Sequence, residues 1–558
     1  MEKTLPDFIV VGSGAAGMTA ALTGSMLGLK VKIFEKADVI GGTTSLSAGS
    51  VWIPNSIHST PGADSEEKTR VYLSNTVGNR LKPALCDAFL KHGPAMISFL
   101  SDTDVKFRAY PKHPDYLADA DGATLSGRAL EPLPFNGARL GKDFSRLRDP
   151  LPEFTILGGM MVNRDDIANL LNATHKLASL TRSSRLLAGY AWDRLRFHRG
   201  TRLVMGNALV GRLYSALRKQ GVPVDRNMNV TELIQKNNKV MGVKIDNGRQ
   251  TLRELSKRGV ILASSGFSRH PVLRKTLLPD PVPEFSPLPA TITGDGVSIG
   301  MDAGGSIGHG HAENCFWTPV SIRKRKDGST AVFPHFILDR GKPGLIAVDQ
   351  SGRRFVNEAT DYHSFGKAMF ANKTRGTIPC HFLCDYKFIR KYGLGMVRPR
   401  ASNLAELLLE GYVLKGATIF DLSKQLKIDT DGLLAEVKAQ NEYARIGVDA
   451  DFNKGQNPYE CNLGDPQHTP NPCLGPIETP PFFAIKVYPG DLGASLGLVT
   501  DENARVLGRN DEPVPGLYAC GNDMDSVMAG VYPGPGITIG PAMTFGYVAA
   551  KHIANNIS

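Results

Sequence analysis

Three glycines near the start of the chain have the spacing of a nucleotide-binding turn. They form the pattern Gly12-x-Gly14-x-x-Gly17, and an acidic residue, Glu35, follows further along. In such a turn Gly12 permits the sharp bend, Gly14 lets a pyrophosphate approach the backbone, and Gly17 lets a helix pack closely on a strand. The carboxylate of Glu35 can accept a hydrogen bond from a ribose hydroxyl. These residues therefore indicate that the chain binds a dinucleotide.

The elements around the glycines are those that this chemistry requires. Residues 7–11 read as a short apolar strand, residues 18–29 have helical periodicity, and residues 30–34 read as a second strand that ends at Glu35. A strand–helix–strand unit of this kind places a bound phosphate at the N-terminus of its helix. Ala15 and Ala16 lie in the same turn and belong to the predicted site.

The residues after the acid indicate which dinucleotide is bound. Glu35 is followed by Lys36 and then by Gly41-Gly42-Thr43-Thr44-Ser45. In FAD enzymes of the two-dinucleotide-binding class the strand acid is commonly followed by such a glycine pair, so we expect FAD rather than NAD. Residues 41–49 resemble the fumarate reductase/succinate dehydrogenase flavoprotein superfamily. Because this stretch contains no histidine for covalent attachment, we expect FAD to be bound noncovalently. Disulfide reductases share this opening pattern, but they are excluded because no redox cysteine pair lies nearby.

Two later segments read as the rest of the FAD domain. Residues 260–267 and 516–523 are each a buried strand that runs into a glycine turn. We therefore predict an α/β fold with a discontinuous Rossmann-like FAD-binding domain at 1–305 and 487–558, and an inserted α+β catalytic domain at 306–486. The residues expected to contact FAD are Gly12, Gly14, Ala15, Ala16, Gly17, Glu35, Lys36, Gly42, Thr43, Thr44, Ser47, Ala48, Gly49, Ser264, Gly266, Gly521, Asn522, Ile537 and Thr538.

Two further patterns are interpreted as structural. Gly493-Ala-Ser495-Leu-Gly497 matches a serine-nucleophile pattern, but that pattern requires a helix after it, and here a β-meander follows. Cys380-His381-x-x-Cys384 has no second ligand pair at zinc-finger spacing, so we predict buried thiols and no metal site. The seven cysteines are sparse and odd in number, which is typical of a reducing compartment.

The C-terminal end carries the most specific pattern. Residues 531–547 read V-Y-P-G-P-G-I-T-I-G-P-A-M-T-F-G-Y. This run resembles the C-terminal signature of the 3-ketosteroid Δ1-dehydrogenases, and the resemblance spans nearly the whole chain. It includes G-S-V-W-I-P at 49–54, G-D-G at 294–296, R-R-F-V-N-E at 353–358 and Y-P-G-D-L-G at 488–493. The resemblance implies FAD-dependent oxidation of the bond between carbons 1 and 2 of a 3-ketosteroid.

The resemblance also implies an oxyanion hole. The hydroxyl of Tyr532 and the backbone N–H of Gly536 would both donate to the ketone oxygen, and one such donor is typically worth about 3 kcal/mol. The residues from Thr538 to Ile557 read as a helix with Pro541 in its first turn, and its positive N-terminal end would favour an anionic reduced flavin.

A base is implied on the other face of the steroid. Tyr362 follows the R-R-F-V-N-E segment where the family has its base, and an early tyrosine supports that base by a hydrogen bond. Tyr116 is the match for this second tyrosine, with Tyr110 as the competitor. Since the reference pKa of tyrosine is about 10, either the site lowers the pKa of Tyr362 or deprotonation is concerted with hydride loss.

The signature departs from the family at Ile537, where a second glycine is usual, and this side chain would narrow the space beside flavin or substrate.

Three alternatives to the 1,2-dehydrogenase stay open. One is a dehydrogenase of the steroid 4,5 bond. Another is a fumarate-reductase-like alkene reductase, although His363 and Arg398 are available only singly for a dicarboxylate. The third, from a different class, is a peripheral membrane module whose flavin is structural.

Composition and charge set the remaining expectations. The 558 residues are 42% hydrophobic and carry a net charge of +11, which excludes a disordered chain. The segment 176–219 holds ten Lys or Arg against one acid, interleaved with Trp192, Phe197 and leucines, but it has no nucleic-acid-binding signature. It reads as a basic amphipathic helix for an anionic membrane surface, or as a solvated helix packed on its own domain. We expect a cytoplasmic protein, peripheral on the inner face of the cell membrane in the first case, with a quinone as a candidate electron acceptor.

Overall fold

The computed structural model describes residues 5–59, 62–336 and 339–556. The helices of this part of the chain are α1 Ala15–Met26, α2 Glu66–Val77, α3 Pro83–Leu100, α4 Arg164–Leu171, α5 Leu177–Arg194, α6 Met205–Lys219, α7 Pro271–Leu277, α8 Asp295–Asp302, α9 Tyr362–Ala371, α10 Tyr386–Lys391, α11 Leu404–Leu409, α12 Ile419–Leu426, α13 Thr430–Ile446, α14 Pro458–Leu463 and α15 Ile539–Asn555.

The strands of the same residues are β1 Phe8–Val11, β2 Val31–Glu35, β3 Val51–Trp52, β4 Phe107–Ala109, β5 Ala129–Pro132, β6 Phe135–Asn136, β7 Thr155–Ile156, β8 Met160–Met161, β9 Arg202–Leu203, β10 Val224–Arg226 and β11 Asn229–Lys236. They continue with β12 Lys239–Asp246, β13 Thr251–Leu255, β14 Val260–Leu262, β15 Cys315–Lys324, β16 Thr330–Pro334, β17 Leu345–Val348, β18 Cys380–Cys384, β19 Leu414–Gly416, β20 Phe482–Ala494, β21 Arg505–Leu507 and β22 Pro513–Ala519.

The first large sheet joins the two ends of the chain. Its order is β10-β2-β1-β14-β22-β21, and every pair is parallel except β21 with β22. Strands β1 and β14 are buried throughout, as expected for a parallel sheet covered on both faces. Because β1, β14 and β22 are neighbours, the turns that follow them meet at one edge of the sheet, where doubly wound folds bind ligands.

Two glycines allow the backbone segments at this edge to approach one another very closely. A Cβ on Gly12, whose φ is +106°, would lie 2.3 Å from the carbonyl oxygen of Ala263, so only glycine allows the turn after β1. A Cβ on Gly546 of α15 would lie 2.5 Å from the carbonyl oxygen of Ala16 in α1. The first and last helices of the molecule therefore pack backbone to backbone. The predicted last residue of that helix, Ile557, lies outside the described residues.

The second large sheet is antiparallel and belongs to the middle of the chain. Its order is β16-β15-β20-β18-β17, and β19 pairs with β20. Strand β20 continues to Ala494, past residue 486, before the chain returns to the first sheet. Helix α9 lies next to this sheet, since Trp317 N of β15 donates to His363 Nδ1 at 3.0 Å.

The basic segment 176–219 does not form one amphipathic helix, so that expectation is wrong. It contains two helices with opposite surroundings, because α6 is almost entirely buried whereas only Ser179 and Ser183 are buried in α5. In α6 the guanidinium of Arg212 donates to the carbonyl oxygens of Leu133, Asp104 and Pro134. The apolar faces of α6 pack in the core, and only α5 presents apolar residues to solvent.

Candidate functional site

The turn after β1 has backbone donors available for a phosphate. Ala15 N donates to Thr44 Oγ1 at 3.0 Å. Within the described residues, the N–H groups of Gly14, Ala16 and Gly17 have no acceptor in the protein. Free N–H groups at a helix N-terminus are the usual ligands of a phosphate.

Glu35 lies at the end of β2, beside this turn. Its Oε2 accepts hydrogen bonds from Ser13 N at 2.9 Å and Ser13 Oγ at 2.6 Å, and its Oε1 accepts one from Ala37 N at 2.8 Å. A carboxylate has about four lone-pair positions, so Oε1 retains capacity for a ribose hydroxyl. Lys36 is engaged differently, because its Nζ donates to Thr293 Oγ1 at 2.6 Å and pairs with Asp295 at 2.7 Å.

The loop of residues 41–49 folds over the turn. A Cβ on Gly42 would lie 3.8 Å from Gly14 Cα and 3.9 Å from Ser265 Oγ, so this loop, the first turn and the turn after β14 meet. Ser47 Oγ donates to the carbonyl oxygen of Thr44 at 2.7 Å and accepts from Gly49 N at 3.0 Å, and Ala48 is exposed. The hydroxyl of Thr43 is buried without a partner. Such a hydroxyl costs free energy unless a ligand pairs with it, which fits a bound cofactor.

Asp523 is a residue of this site that the sequence reasoning missed. It accepts hydrogen bonds from Ser264 Oγ at 3.1 Å, from Gly266 N at 2.7 Å and from Ser264 N. Burial raises the pKa of Asp523 to about 6, against the opposing effect of these hydrogen bonds. Asp523 therefore ties the turn after β14 to the turn after β22. Its position directly after Gly521-Asn522 was the available signal.

A small cavity lies between the turn after β22 and the start of α15. Gly521, Asn522, Ile537 and Thr538 line it together with Phe316. Ile537 is buried, so the side chain that departs from the family pattern does occupy space beside the predicted cofactor residues. The free backbone donors, the unpartnered hydroxyl and this cavity fit FAD.

Three tyrosines that are far apart in the sequence meet next to this cavity. The hydroxyl of Tyr116 donates to the hydroxyl of Tyr362 at 3.1 Å, and all three rings are buried. The ring of Tyr532 is stacked on Tyr116 with centroids 5.6 Å apart, and lies 5.1 Å from the ring of Tyr362. Phe316, which lines the cavity, packs edge-on against Tyr532 at 5.3 Å.

Neighbouring groups hold each tyrosine. Tyr362 is the first residue of α9, and Asp361 caps this helix by accepting hydrogen bonds from His363 N and Ser364 N at 2.9 Å. Tyr116 N donates to the carbonyl oxygen of Pro533 at 2.9 Å, which ties Tyr116 to the loop that carries Tyr532. The distance between the tyrosine rings is thus set by backbone contacts between distant segments.

Gly536 follows Tyr532 in a backbone conformation that glycine favours. Its φ is +94°, and a Cβ there would lie 2.4 Å from the carbonyl oxygen of Ser50. Its carbonyl oxygen accepts from Trp52 N and Gly540 N, whereas its own N–H has no acceptor among the described residues. This N–H is therefore available to a substrate oxygen.

Burial determines the protonation of the tyrosines. It raises the pKa of Tyr532 to about 12, and it raises the pKa of Tyr362 well above its ordinary value. Arg340, a buried cation near α9, is engaged with the carbonyl oxygens of Glu358 and Thr360. The site does not lower the pKa of Tyr362, so both tyrosines are phenols at neutral pH.

Comparisons with known proteins show what the chain is similar to. Residues 7–539 match the FAD binding domain family. A 3-oxosteroid 1-dehydrogenase of Mycobacterium tuberculosis is 36% identical over 98% of each chain. A 4-oxocyclohex-2-ene-1-carboxylate 5-dehydrogenase of Sinomonas cyclohexanicum is 34% identical over 99% of this chain and 94% of its own. The crystal structure of 3-ketosteroid Δ1-dehydrogenase from Sterolibacterium denitrificans, in complex with 1,4-androstadiene-3,17-dione, superimposes with a TM-score of 0.90 and 34% identity over 99% of each chain.

The chain belongs to the 3-ketosteroid Δ1-dehydrogenase family. This confirms the predicted family, a flavoenzyme fold of mixed helices and sheets, and FAD as the cofactor. It also confirms an FAD-dependent oxidoreductase, as the sequence predicted.

Within this family fold, the geometry separates several alternatives. Tyr116, and not Tyr110, contacts Tyr362, because the hydroxyl of Tyr110 lies 3.2 Å from Ser50 Oγ instead. His363 is not a free ligand for a dicarboxylate. Its Nδ1 accepts from Trp317 N, its Nε2 lies 3.1 Å from the carbonyl oxygen of Gly530, and burial lowers its pKa to about 3.

The two patterns interpreted as structural are placed as follows. Ser495 comes directly after β20, no helix follows it, and its Oγ lies 2.8 Å from His311 Nδ1. Cys380 and Cys384 are buried in β18. Among the described residues there is no cluster of three or more side chains that could hold a metal ion.

Proposed function

We propose that this protein is an FAD-dependent dehydrogenase that introduces a double bond between carbons 1 and 2 of a 3-ketosteroid. The observation that carries this proposal is that three tyrosines, Tyr116, Tyr362 and Tyr532, meet beside the free N–H of Gly536. Two of the tyrosines form a hydrogen-bonded pair that can take up a proton. The third tyrosine and the N–H are two donors for a ketone oxygen. The similarity to 3-oxosteroid 1-dehydrogenases over the whole chain supports it.

The proposed chemistry divides between the two faces of the steroid A ring. FAD, held at the turn that carries the free N–H groups of Gly14, Ala16 and Gly17, would supply the acceptor for the hydride of carbon 1. Tyr532 Oη–H and Gly536 N–H donate to the ketone oxygen and stabilise the negative charge that develops there when carbon 2 loses its proton. Tyr362 receives that proton in its phenolate form, after its own phenolic proton has left to solvent. The hydroxyl of Tyr116 donates to the Tyr362 oxygen and stabilises this ionised form.

The surroundings of the tyrosines favour a steroid over a small keto acid. The rings packed on the three tyrosines include Phe316, Phe336 and Tyr459. Arg340 donates to four backbone carbonyl oxygens, so it offers little to a substrate carboxylate. Such a site suits an apolar ring system with one ketone.

The deciding experiment is anaerobic mixing of the purified protein with a 3-ketosteroid. We expect the flavin absorbance to bleach and a 1,2-alkene to form, and we expect 4-oxocyclohex-2-ene-1-carboxylate to leave the spectrum unchanged. Fumarate should not reoxidise the enzyme after its flavin has been reduced. Acid denaturation should release free FAD, because no histidine is present in residues 41–49. Flavin that stays on the polypeptide would contradict noncovalent binding.

If the protein contains FAD but no 3-ketosteroid reduces it, the proposed activity is excluded and a structural flavin is favoured. Formation of a 4,5-alkene instead would identify the other steroid dehydrogenase.

We further infer that the FAD-binding domain is discontinuous, at 1–305 and after the inserted catalytic domain, as the sequence analysis expects. The first sheet supports this division because it combines β1, β2 and β14 with β21 and β22. The continuous strand β20 favours a return point after Ala494 rather than after residue 486.

We also infer that helix α5 docks the enzyme on an anionic membrane. Four apolar residues of α5 are exposed to solvent on one side of the helix: Leu177, Leu180, Leu187 and Trp192. Leu195, directly after the helix, is exposed as well and extends this apolar stripe. At 100° per residue the stripe spans about 140° on the side of the helix away from Ser179 and Ser183. Arg182, Arg185 and Arg194 are exposed beside it. Apolar residues flanked by cations are typical of interfacial helices.

This docking would bring the enzyme to a bilayer that concentrates steroids and a quinone acceptor, on the inner face of the cell membrane. Among the described residues, no helix is long and apolar enough to span a membrane. Each Arg near an anionic surface contributes about 1 kcal/mol, so binding should weaken as salt rises.

Sedimentation with anionic liposomes at low salt tests this docking. We expect the wild-type protein to pellet and the double variant Trp192→Ser/Leu195→Ser to stay in the supernatant. Phe420→Ser is the matched control, because Phe420 is also an exposed apolar residue but lies on α12. Equal recovery of the wild type with and without liposomes would refute the docking, and α5 would then be a solvated helix.

A further inference from the structure

Tyr459 is a fourth tyrosine of the site, although no motif in the sequence marks it. It lies in α14 and is only 1% exposed. Its ring centroid is 4.7 Å from that of Tyr116, at an angle of 50°. Tyr116 is thus packed between Tyr532 on one side and Tyr459 on another, while its hydroxyl donates to Tyr362.

The hydroxyl of Tyr459 is buried and has no hydrogen-bond partner among the described residues. A buried hydroxyl without a partner costs free energy, and phenylalanine would fill the same volume without that cost. Burial raises the pKa of Tyr116, and the neighbouring phenols of Tyr459 and Tyr532 act in the same direction. The unpartnered hydroxyl belongs to the ring that packs 4.7 Å from the ring of Tyr116, the residue that supports the base.

The segment that carries Tyr459 is bound firmly to the segment that carries Tyr362. Glu460 Oε1 accepts a hydrogen bond from Asn357 Nδ2 at 2.9 Å, and Glu460 Oε2 accepts one from Gly455 N at 2.6 Å. A buried ion pair between Lys454 and Glu358 at 3.0 Å connects the same two segments. These contacts hold the segment that carries Tyr459 against the segment that carries the base.

We propose that Tyr459 is a positioning residue that donates a hydrogen bond to Tyr116 Oη when Tyr362 ionises. The hydrogen of Tyr116 is already used in its bond to Tyr362, but the Tyr116 oxygen can still accept. The result is a chain of donors from Tyr459 to Tyr116 to the oxygen of Tyr362. Each bond in such a chain polarises the next, so the ionised form of Tyr362 is stabilised beyond the contribution of Tyr116 alone.

This inference rests on the proposed function, and Tyr459→Phe tests it separately. We expect kcat for 3-ketosteroid oxidation to fall about tenfold. The variant loses the hydrogen bond to Tyr116, which in turn donates to the ionised Tyr362. We expect the rising limb of the kcat pH profile to move to higher pH, because Tyr362 becomes harder to ionise. The KM should stay unchanged. The FAD content and the melting temperature should not fall, since the hydroxyl has no partner in the free site.

Tyr412→Phe is the matched control. Tyr412 is also buried, but its hydroxyl lies 2.7 Å from Ser321 Oγ and accepts from Met396 N at 3.0 Å. Its replacement should lower the melting temperature and leave the pH profile in place. A Tyr459→Phe variant with wild-type kcat and pH profile would overturn the inference, and so would one that loses only stability. If the wild-type protein itself does not oxidise a 3-ketosteroid, the proposed function fails instead.

Discussion

Replacing Tyr362 with phenylalanine is expected to reduce the rate of anaerobic flavin bleaching by a 3-ketosteroid about 1,000-fold. Loss of a positioned base commonly costs a factor of this order, whereas the change removes little volume from a buried site. The FAD content should stay at the wild-type level, because Tyr362 is not among the residues around the cofactor cavity. Stopped-flow reduction at several pH values measures both the rate and its pH dependence.

The pH dependence has a definite sign. Burial raises the pKa of Tyr362 well above its ordinary value, so the reactive ionised form is scarce at neutral pH and increases with pH. The rate of the wild-type enzyme should therefore rise from neutral into alkaline solution. The Tyr362→Phe variant should lose this rise, since it has no phenol to ionise at that position.

Tyr532→Phe is the comparison for this experiment. It removes one donor to the ketone oxygen, and we expect a loss of about 100-fold. Because Tyr362 is intact in this variant, the rise of the rate with pH should remain. A Tyr362→Phe protein that turns over at a near-normal rate, or one that keeps the alkaline rise, would show that another group is the base.

Arg354→Met is expected to destabilise the protein by about 3–5 kcal/mol, which is typical when one partner of a buried ion network is removed. Arg354, Glu358, Asp449 and Lys454 all have side chains that are 0% exposed. Arg354 lies 2.7 Å from Glu358 and 2.8 Å from Asp449, so its removal leaves two carboxylates with one ammonium. Urea unfolding followed by far-ultraviolet circular dichroism measures the loss.

The same network predicts a stability change in acid. Burial by itself raises the pKa of Glu358, but the charges of Arg354 and Lys454 outweigh it and lower this pKa to about 2. A carboxyl with a depressed folded-state pKa stabilises the fold above its unfolded value, here 4.5, and this stabilisation disappears as the pH falls to about 2. The wild type should therefore lose stability across this range, and Arg354→Met should lose less.

Arg445→Met provides the control for the network. Arg445 pairs with Glu442 on the surface, where its side chain is 70% exposed, so water already solvates both charges. We expect no measurable change in unfolding for this variant. If Arg354→Met were as stable as Arg445→Met, the buried network would contribute nothing to the fold around the base.

The cofactor-binding part of the site could be predicted from the sequence because its determinants are local. Gly12, Gly14 and Gly17 act within a single turn. Strand β1, helix α1 and strand β2 follow one another as the pattern of apolar residues predicts, although α1 spans Ala15–Met26 and not residues 18–29. Asp523 could have been selected as well, since it directly follows Gly521-Asn522, but Tyr459 could not. An isolated phenol has no periodicity or spacing that indicates what it will contact.

The basic segment shows the same limit. Its composition predicts an amphipathic helix, and both α5 and α6 are helices. Whether their apolar residues meet water or the core depends on the neighbours that the fold provides. The guanidinium of Arg212 reaches backbone carbonyls in the core, while Trp192 is 60% exposed.

The sequence by itself determined the dinucleotide turn, because that turn follows from residue types at a short, fixed spacing, and the resemblance of its motifs to known enzymes gave the cofactor and the family. Only the tertiary structure decided that Tyr116, Tyr362 and Tyr532 lie together, with Tyr459 behind them. The physical reason is that these rings come from four distant segments. Their distances are set by hydrogen bonds and ion pairs between segments, such as Tyr116 N to Pro533 O and Lys454 to Glu358, and no local pattern encodes those contacts.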